Sequence, residues 1–181
     1  MNRASLLIPL VVFVLLAGVL YAGFSLNDPH VLPSALVGKP FPKFSLPALD
    51  NPSQQINEGA MRGRIHLVNV WGTWCPTCAS EHPELLRISR EERVPILGID
   101  YKDDVEQARQ WIQERGNPYA ITVVDQEGTL GLDLGVYGAP ETFLVDARGV
   151  IRFKLIGDVN PRRWAADLGP EIAKLKREAG S

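Results

Sequence analysis

The two cysteines of this 181-residue chain, Cys75 and Cys78, are separated by only two residues. The apolar run at 64–71 predicts a buried strand before them, and residues 79–90 predict a helix after them. A Cys-x-x-Cys pair where a strand leads into a helix, within a βαβ pattern, is typical of a thiol–disulfide redox site. A purely structural disulfide is the alternative, but closing so short a loop would constrain the unfolded chain little. The spacing therefore predicts a redox-active pair.

The composition excludes several classes of protein. A hydrophobic fraction of 45% and a charged fraction of 22% are those of an ordinary globular protein. The formal net charge of −2 leaves no basic surface of the kind that binds nucleic acid. Two cysteines cannot supply the four thiolates of a structural zinc site.

The N-terminus carries an uncharged apolar run at residues 6–24, long enough to cross a bilayer as a helix. Arg3 precedes the run and Asp28 is the first charge after it, so the positive-inside tendency keeps the N-terminus in the cytoplasm. A cleaved signal peptide is the alternative, although the apolar run is long and the match to a cleavage site is poor. We predict a membrane anchor at 1–26 and a proline-rich linker at 27–40.

The remaining residues, 41–177, alternate between strand and helix patterns and predict a single domain. Residues 41–46 predict a short edge strand, and the turn-rich segment 50–63 predicts a hairpin-like lead-in. The order β-α-β-α-β-(short helix)-β-β-α predicts a mixed sheet with helices on both faces. The other predicted elements are strands at 65–71, 94–99, 121–124, 143–145 and 150–156, a helix from 105 to 115, and a last helix with Asn160 as its N-cap.

Two segments carry a family resemblance. The first runs from residue 69 to residue 78 and reads NVWGTWCPTC; the second runs from residue 135 to residue 143 and reads GVYGAPETF. Together they resemble the DsbE/CcmG thiol:disulfide interchange proteins, which are membrane-anchored periplasmic reductants of bacterial cytochrome c maturation. The resemblance covers residues 37–175, and the anchor fits it. It implies a thioredoxin-like α/β fold with a mixed central sheet, an N-terminal extension and an extra αβ insertion, preceded by one transmembrane helix.

The resemblance also implies an activity, its partners and a location. The chain would be a thiol:disulfide oxidoreductase in the bacterial inner membrane, with its domain in the periplasm and no cofactor beyond the Cys75–Cys78 disulfide. Its partners would be protein thiols and disulfides, such as apocytochrome c or maturation factors, and its electron donor a membrane thiol transporter of the DsbD/CcdA type. The alternatives are a periplasmic reductase serving another client and a thioredoxin-like copper or metal assembly chaperone. Cys-x-x-Cys sites both oxidise and reduce, so the motif leaves the direction open.

The residues around the cysteines predict a division of roles. Cys75, at the helix start, is predicted to be the exposed attacking thiol, because unpaired N–H groups there favour a thiolate. Cys78 is predicted to resolve the mixed disulfide, which requires a base. Thioredoxins carry a buried aspartate six positions before the first cysteine, where this chain has Asn69, which cannot titrate. Glu81, on the same helix face as Cys78, is the predicted substitute; a solvated surface carboxylate is the alternative.

Other residues receive roles from the resemblance. Pro140 is expected to be a cis-proline beside the disulfide and to join the catalytic set. Glu141 is expected to form an acidic rim. His82 could complete a metal site with the cysteines, but a surface histidine is the simpler interpretation. The predicted client-binding residues are Trp74, Pro76, Thr77, Ala139 and Glu141.

Overall fold

The computed structural model describes residues 3–26 and 35–180, with side chains over 9–20 and 35–178. The chain divides into two units, Met1–Leu32 and Pro33–Ser181. The first contains helix α1 (Arg3–Leu26), whose described large apolar side chains are all exposed. No helix among the described residues meets the length and apolarity that crossing a membrane requires. Most of the predicted linker lies outside the described residues.

The second unit is a layered α/β domain. A five-stranded sheet with strand order β5-β4-β3-β6-β7 forms its centre, and a separate two-stranded hairpin, β1-β2, precedes the sheet in the chain. In chain order the elements are β1 (Ser45–Pro47), β2 (Gln55–Asn57), β3 (His66–Trp71), α2 (Pro76–Arg87), β4 (Ile96–Tyr101), α3 (Val105–Arg115), β5 (Ile121–Asp125), α4 (Thr129–Asp133), β6 (Glu141–Val145), β7 (Ile151–Ile156), α5 (Pro161–Arg163) and α6 (Gly169–Gly180).

Strand β3 is the centre of the sheet. It pairs in parallel with β4 and antiparallel with β6, and all six of its residues are buried. Helices α2, α3 and α6 supply the core on one face; the hairpin and α4 supply it on the other. The burial explains the continuous apolar run of β3, because a strand covered on both faces has no solvent side. The predicted mixed sheet with helices on both faces is confirmed.

Several element boundaries differ from the predictions. The edge strand predicted at 41–46 is wrong: the strand is Ser45–Pro47, while Phe41 is a core residue whose N–H bonds to the Gly149 carbonyl at 2.8 Å. Helix α2 begins at Pro76, because a proline fits the first helical position. The last helical stretch starts after its predicted N-cap, Asn160, and contains a π-helical turn between α5 and α6.

A buried ion pair holds the loop before β6 against the sheet. Lys154 Nζ lies 2.8 Å from Glu141 Oε2, and the two side chains are 4% and 1% exposed. Lys154 also donates to the Gly135 carbonyl at 2.7 Å, while Glu141 Oε1 accepts from the Tyr137 N–H at 2.9 Å. The prediction of an acidic rim at Glu141 is therefore wrong, because the carboxylate faces a buried ammonium group and its own loop.

We predict that Glu141→Gln destabilises the domain by about 3–5 kcal/mol, because it leaves the Lys154 ammonium buried without a counter-charge. Urea unfolding of the purified protein measures this loss. Adding Lys154→Met should recover most of it, since no unpaired charge then remains. Glu127→Gln, at an exposed position, is the control. Equal stability of Glu141→Gln and wild type would contradict the assignment.

Candidate active site

The cysteine pair forms a disulfide at the N-terminus of α2. The Cα atoms of Cys75 and Cys78 lie 5.3 Å apart, and Cys75 Sγ accepts a hydrogen bond from the Cys78 N–H at 3.1 Å. A thiolate formed at Cys75 would retain this donor and the positive end of the helix dipole, both of which stabilise an anion. Cys75 is 4% exposed and Cys78 is 2% exposed in the disulfide form. The prediction of an exposed Cys75 is wrong for this state, because both cysteines belong to the core below α2.

Three predicted client-binding residues lie at the surface next to the disulfide. Trp74, Pro76 and Thr77 are exposed, Trp74 by 50%. The Trp74 indole N–H donates to the Tyr101 carbonyl at 3.1 Å, which fixes the ring beside the cysteines. The indole lies so close to Gly72 that a Cβ at that position would collide with it. Because Gly72 has no Cβ, the Trp74 indole can lie in this position.

The segment at 135–143 reaches the same end of the sheet as the cysteines. The Ala139–Pro140 peptide bond is cis, as the resemblance implies. The next residue, Glu141, pairs with Val70, so Pro140 falls opposite the end of β3 that leads to the cysteines. Ala139 packs against the core cluster that contains both cysteines. The fold thus brings Ala139 and Pro140 to the disulfide, whereas Glu141 points into the core.

Glu81 is a buried carboxylate one helical turn after Cys78. It is 1% exposed; its Oε1 accepts from Asn69 Nδ2 at 2.9 Å and its Oε2 from the Val159 N–H at 2.8 Å. Burial raises the pKa of Glu81 to about 7, although both of these hydrogen bonds favour the ionised form and lower it. The alternative of a solvated surface carboxylate is wrong. Glu81 is a group that changes protonation near neutral pH.

Asn69 connects Glu81 to two further polar side chains. Its Nδ2 also donates to Thr142 Oγ1 at 3.1 Å, and its Oδ1 accepts from the Tyr119 hydroxyl at 2.9 Å. Neither contact was predicted: Tyr119 lies outside both motif segments, and nothing in the second segment, which contains Thr142, indicates that its hydroxyl meets Asn69. The amide at position 69 orients a buried carboxyl that α2 supplies, instead of titrating itself.

His82 belongs to the core and not to the surface. It is 3% exposed, its Nε2–H donates to the Gly116 carbonyl at 2.9 Å, and its ring packs edge-on against Trp111. Burial lowers the pKa of His82, so the ring is neutral at neutral pH. The surface interpretation is wrong, because α3 and its following turn cover this face of α2. Across residues 3–26 and 35–180, no group of three or more His, Cys, Asp or Glu side chains is arranged to hold a metal ion.

Comparison with known proteins identifies the family. The Redoxin family matches residues 36–168. The chain is 51% identical over 178 residues to the thiol:disulfide interchange protein DsbE of Pseudomonas aeruginosa, covering 98% of both chains, and 48% identical over 184 residues to that of Escherichia coli K12, covering 99% of both. The solved structure of a secreted thiol-disulfide isomerase from Corynebacterium glutamicum has the same fold, with a TM-score of 0.64 and 22% identity over 74% of this chain and 85% of that one. The chain therefore belongs to the DsbE thiol:disulfide interchange proteins, which are thiol:disulfide oxidoreductases with a thioredoxin-like fold.

Proposed function

We propose that the protein is a membrane-anchored periplasmic reductant for disulfides of apocytochrome c, or of its maturation partners, during c-type cytochrome maturation. The observation that carries this proposal is the Cys75–Cys78 disulfide at the start of α2, with the buried Glu81 carboxyl one turn below it, in a chain of the DsbE family. A membrane thiol transporter of the DsbD/CcdA type supplies the electrons. The cysteine pair is the only redox group required.

Reduction of a client proceeds by two thiol–disulfide exchanges. The Cys75 thiolate attacks a client disulfide, forms a mixed disulfide and releases the other client sulfur as a thiolate. Cys78 then loses its proton and attacks the Cys75 sulfur, so the bond to the client breaks and the second client sulfur leaves as a thiolate. The client gains two electrons and, after protonation, two protons. The protein is left with the Cys75–Cys78 disulfide, which is the state of this structure.

Glu81 is the proposed acceptor of the Cys78 proton. It lies three residues beyond Cys78 on α2, a spacing that places both side chains on one face of the helix. A carboxyl with a pKa of about 7 is matched to a base that works at neutral pH. The neutral donors Asn69 and Val159 hold the carboxyl in place without a counter-charge that would remove its basicity.

The client is proposed to lie across the exposed side chains of Trp74, Pro76 and Thr77 on one side and the half-buried Ala139, next to the buried Pro140, on the other. The first three side chains are exposed, and Trp74 offers an amphipathic ring. The backbone before the cis-proline is suited to pair with an extended client segment, as in recognition by β-strand addition. Glu141 contributes by holding the loop from below, through Lys154, and does not contact the client.

The membrane anchor is proposed for residues 1–26. Its support is the uncharged apolar run, the preceding Arg3, and the exposure of the apolar side chains described on α1. We expect the full-length chain, sequenced from its N-terminus, in the membrane fraction of the cells that make it. A mature chain that begins near Ser25 in the soluble periplasmic fraction would overturn the anchor and leave the redox proposal intact.

Trapping experiments test the function and its client. Cys78→Ser should accumulate a mixed disulfide with an oxidised Cys-x-x-Cys-His peptide, the haem-attachment sequence, because the resolving thiol is missing. Cys75→Ser should not, because the attacking thiol is missing. Non-reducing mass spectrometry of each mixture gives the result. A peptide with the histidine replaced by alanine is the control for client choice: equal trapping of both peptides would contradict a cytochrome client, and trapping by Cys75→Ser would contradict the assigned order.

The role of Glu81 predicts a specific kinetic defect. Glu81→Gln should slow resolution of the mixed disulfide by at least about a hundredfold at pH 8, the usual contribution of a positioned base. In the wild type the resolution rate should rise as Glu81 ionises through pH 7, and this step should be absent in the variant. Stopped-flow measurements between pH 6 and pH 9 compare the two, with Glu127→Gln as the exposed control. Resolution by Glu81→Gln at the wild-type rate throughout would remove Glu81 from the mechanism.

A further inference from the structure

A second buried carboxyl, Asp100, lies near the active site on β4. It is fully buried, and neither of its carboxyl oxygens receives a hydrogen bond from any donor in the described part of the chain. In the sheet it is paired with Trp71, the last residue of β3 before the loop that leads to the cysteines. An ionised carboxylate without a donor or counter-charge is costly to bury. The position therefore favours the protonated form of Asp100.

The segment that follows Asp100 holds the loop in front of the cysteines. Asp103 Oδ1 accepts from Thr73 Oγ1 at 2.7 Å, and Asp103 Oδ2 accepts from the Thr73 N–H. The next loop residue, Trp74, donates to the Tyr101 carbonyl. Three hydrogen bonds thus connect the two residues before Cys75 to the end of β4. We call the bonded groups of Thr73, Trp74, Tyr101 and Asp103 the loop clamp.

The carboxyl of Asp100 meets that of Asp103, and two carboxyls can share a hydrogen bond only when one of them carries a proton. Burial, followed by the charge and hydrogen bond of Asp103 and the charge of Asp104, raises the pKa of Asp100 to about 8. Tyr119 is the other titratable group that interacts with Asp100; its own pKa is raised by burial and by the charges of Glu81 and Asp100. None of these neighbours is a cation that could stabilise a second carboxylate.

We propose that Asp100 and Asp103 share one proton and that this pair is a positioning element for thiol–disulfide exchange, keeping the loop clamp closed beside Cys75. With the proton in place, Asp100 donates to Asp103, and Asp103 remains free to accept from Thr73. Without it, the buried Asp100 carboxylate faces the half-buried Asp103 carboxylate, and opening of the clamp relieves their repulsion by admitting water. The pair thereby couples the placement of Cys75 to pH through a group that is not part of the exchange chemistry.

The sign and range of this coupling follow from the raised pKa of Asp100. With the clamp open, Asp100 is solvated and ionises near its ordinary pKa of 3.8; with the clamp closed, it ionises only near 8. Below pH 3.8 the closed clamp therefore keeps its full preference over the open one. This preference falls as the pH rises and is lost near pH 8. Between the two values, the opening equilibrium changes by at most about tenfold per pH unit, the slope for one proton.

Hydrogen exchange of the Thr73 amide in the full-length oxidised protein tests the proposal. Protection factors already correct for the intrinsic pH dependence of exchange. Between pH 5 and pH 8, Thr73 protection in the wild type should fall by up to about tenfold per unit relative to Asp100→Asn, whose amide stays neutral and can still donate to Asp103. Because Glu81 titrates in the same range, the difference between the two proteins is the readout. Asp133→Asn, at an exposed position on α4, should match the wild type.

Two further measurements separate positioning from simple stability. In the reduced protein, the ratio of Cys75 alkylation rates in Asp100→Asn and wild type should rise over the same pH range as the difference in Thr73 protection. In the wild type, the NMR chemical shift of the Asp100 carboxyl carbon should show that the carboxyl group is still protonated at pH 6. This measurement does not require any variant to fold. Equal Thr73 protection in both proteins at every pH, a constant alkylation ratio, or titration of Asp100 near 3.8 would each overturn the proposal. None of these outcomes depends on the cytochrome client.

Discussion

The Glu81 carboxyl connects three parts of the domain that must stay in register for exchange to work. Its helix contains Cys78 and has Cys75 as its N-cap, Asn69 lies in the central strand, and the Val159 N–H belongs to the segment that leads into the last helix. Removing a carboxyl from water is costly unless donors replace the lost solvent, and the two N–H groups do so only in part. The same burial that demands these bonds also raises the pKa of Glu81 towards neutrality. Burial is therefore the common cause of the fixed position of the Glu81 carboxyl and of its basicity.

The buried glutamates Glu81 and Glu141, one on each face of the sheet, have different surroundings. Glu81 is buried and accepts hydrogen bonds only from neutral donors, so its ionised form has no counter-charge and its pKa is raised to about 7. Glu141 meets the Lys154 ammonium, so its charge is matched and its function is to hold the loop that carries the cis-proline. The disulfide thus lies between α2, which contains the titratable Glu81, and the loop before β6, which the Glu141–Lys154 ion pair holds in place. Because different glutamates have these two roles, proton transfer at Glu81 can vary with pH while the Glu141–Lys154 pair keeps the loop before β6 in place.

Periodicity and the Cys-x-x-Cys spacing predicted the sheet, the helices and the redox pair, because these signals are local to one element. The cis-proline followed from the resemblance, and the structure has it. The predictions of an exposed Cys75, a rim at Glu141 and a surface His82 failed for a shared reason: burial depends on which distant segment covers a side chain. Glu81 and Val159 are 78 residues apart, and no pattern in either segment indicates that they meet. Asp100 was missed because one acidic residue near a strand end resembles an ordinary turn signal.

The proposed exchange mechanism depends most on the protonation of Glu81 in the folded protein. NMR titration of its carboxyl carbon in the oxidised full-length chain, assigned by comparison with Glu81→Gln, measures this directly. The burial and the neutral hydrogen bonds of Glu81 predict a midpoint pH of about 7. A midpoint at the ordinary pKa of 4.5 would show that the carboxyl is stabilised as an anion at all working pH values, and would contradict its assignment as the group that exchanges protons with Cys78.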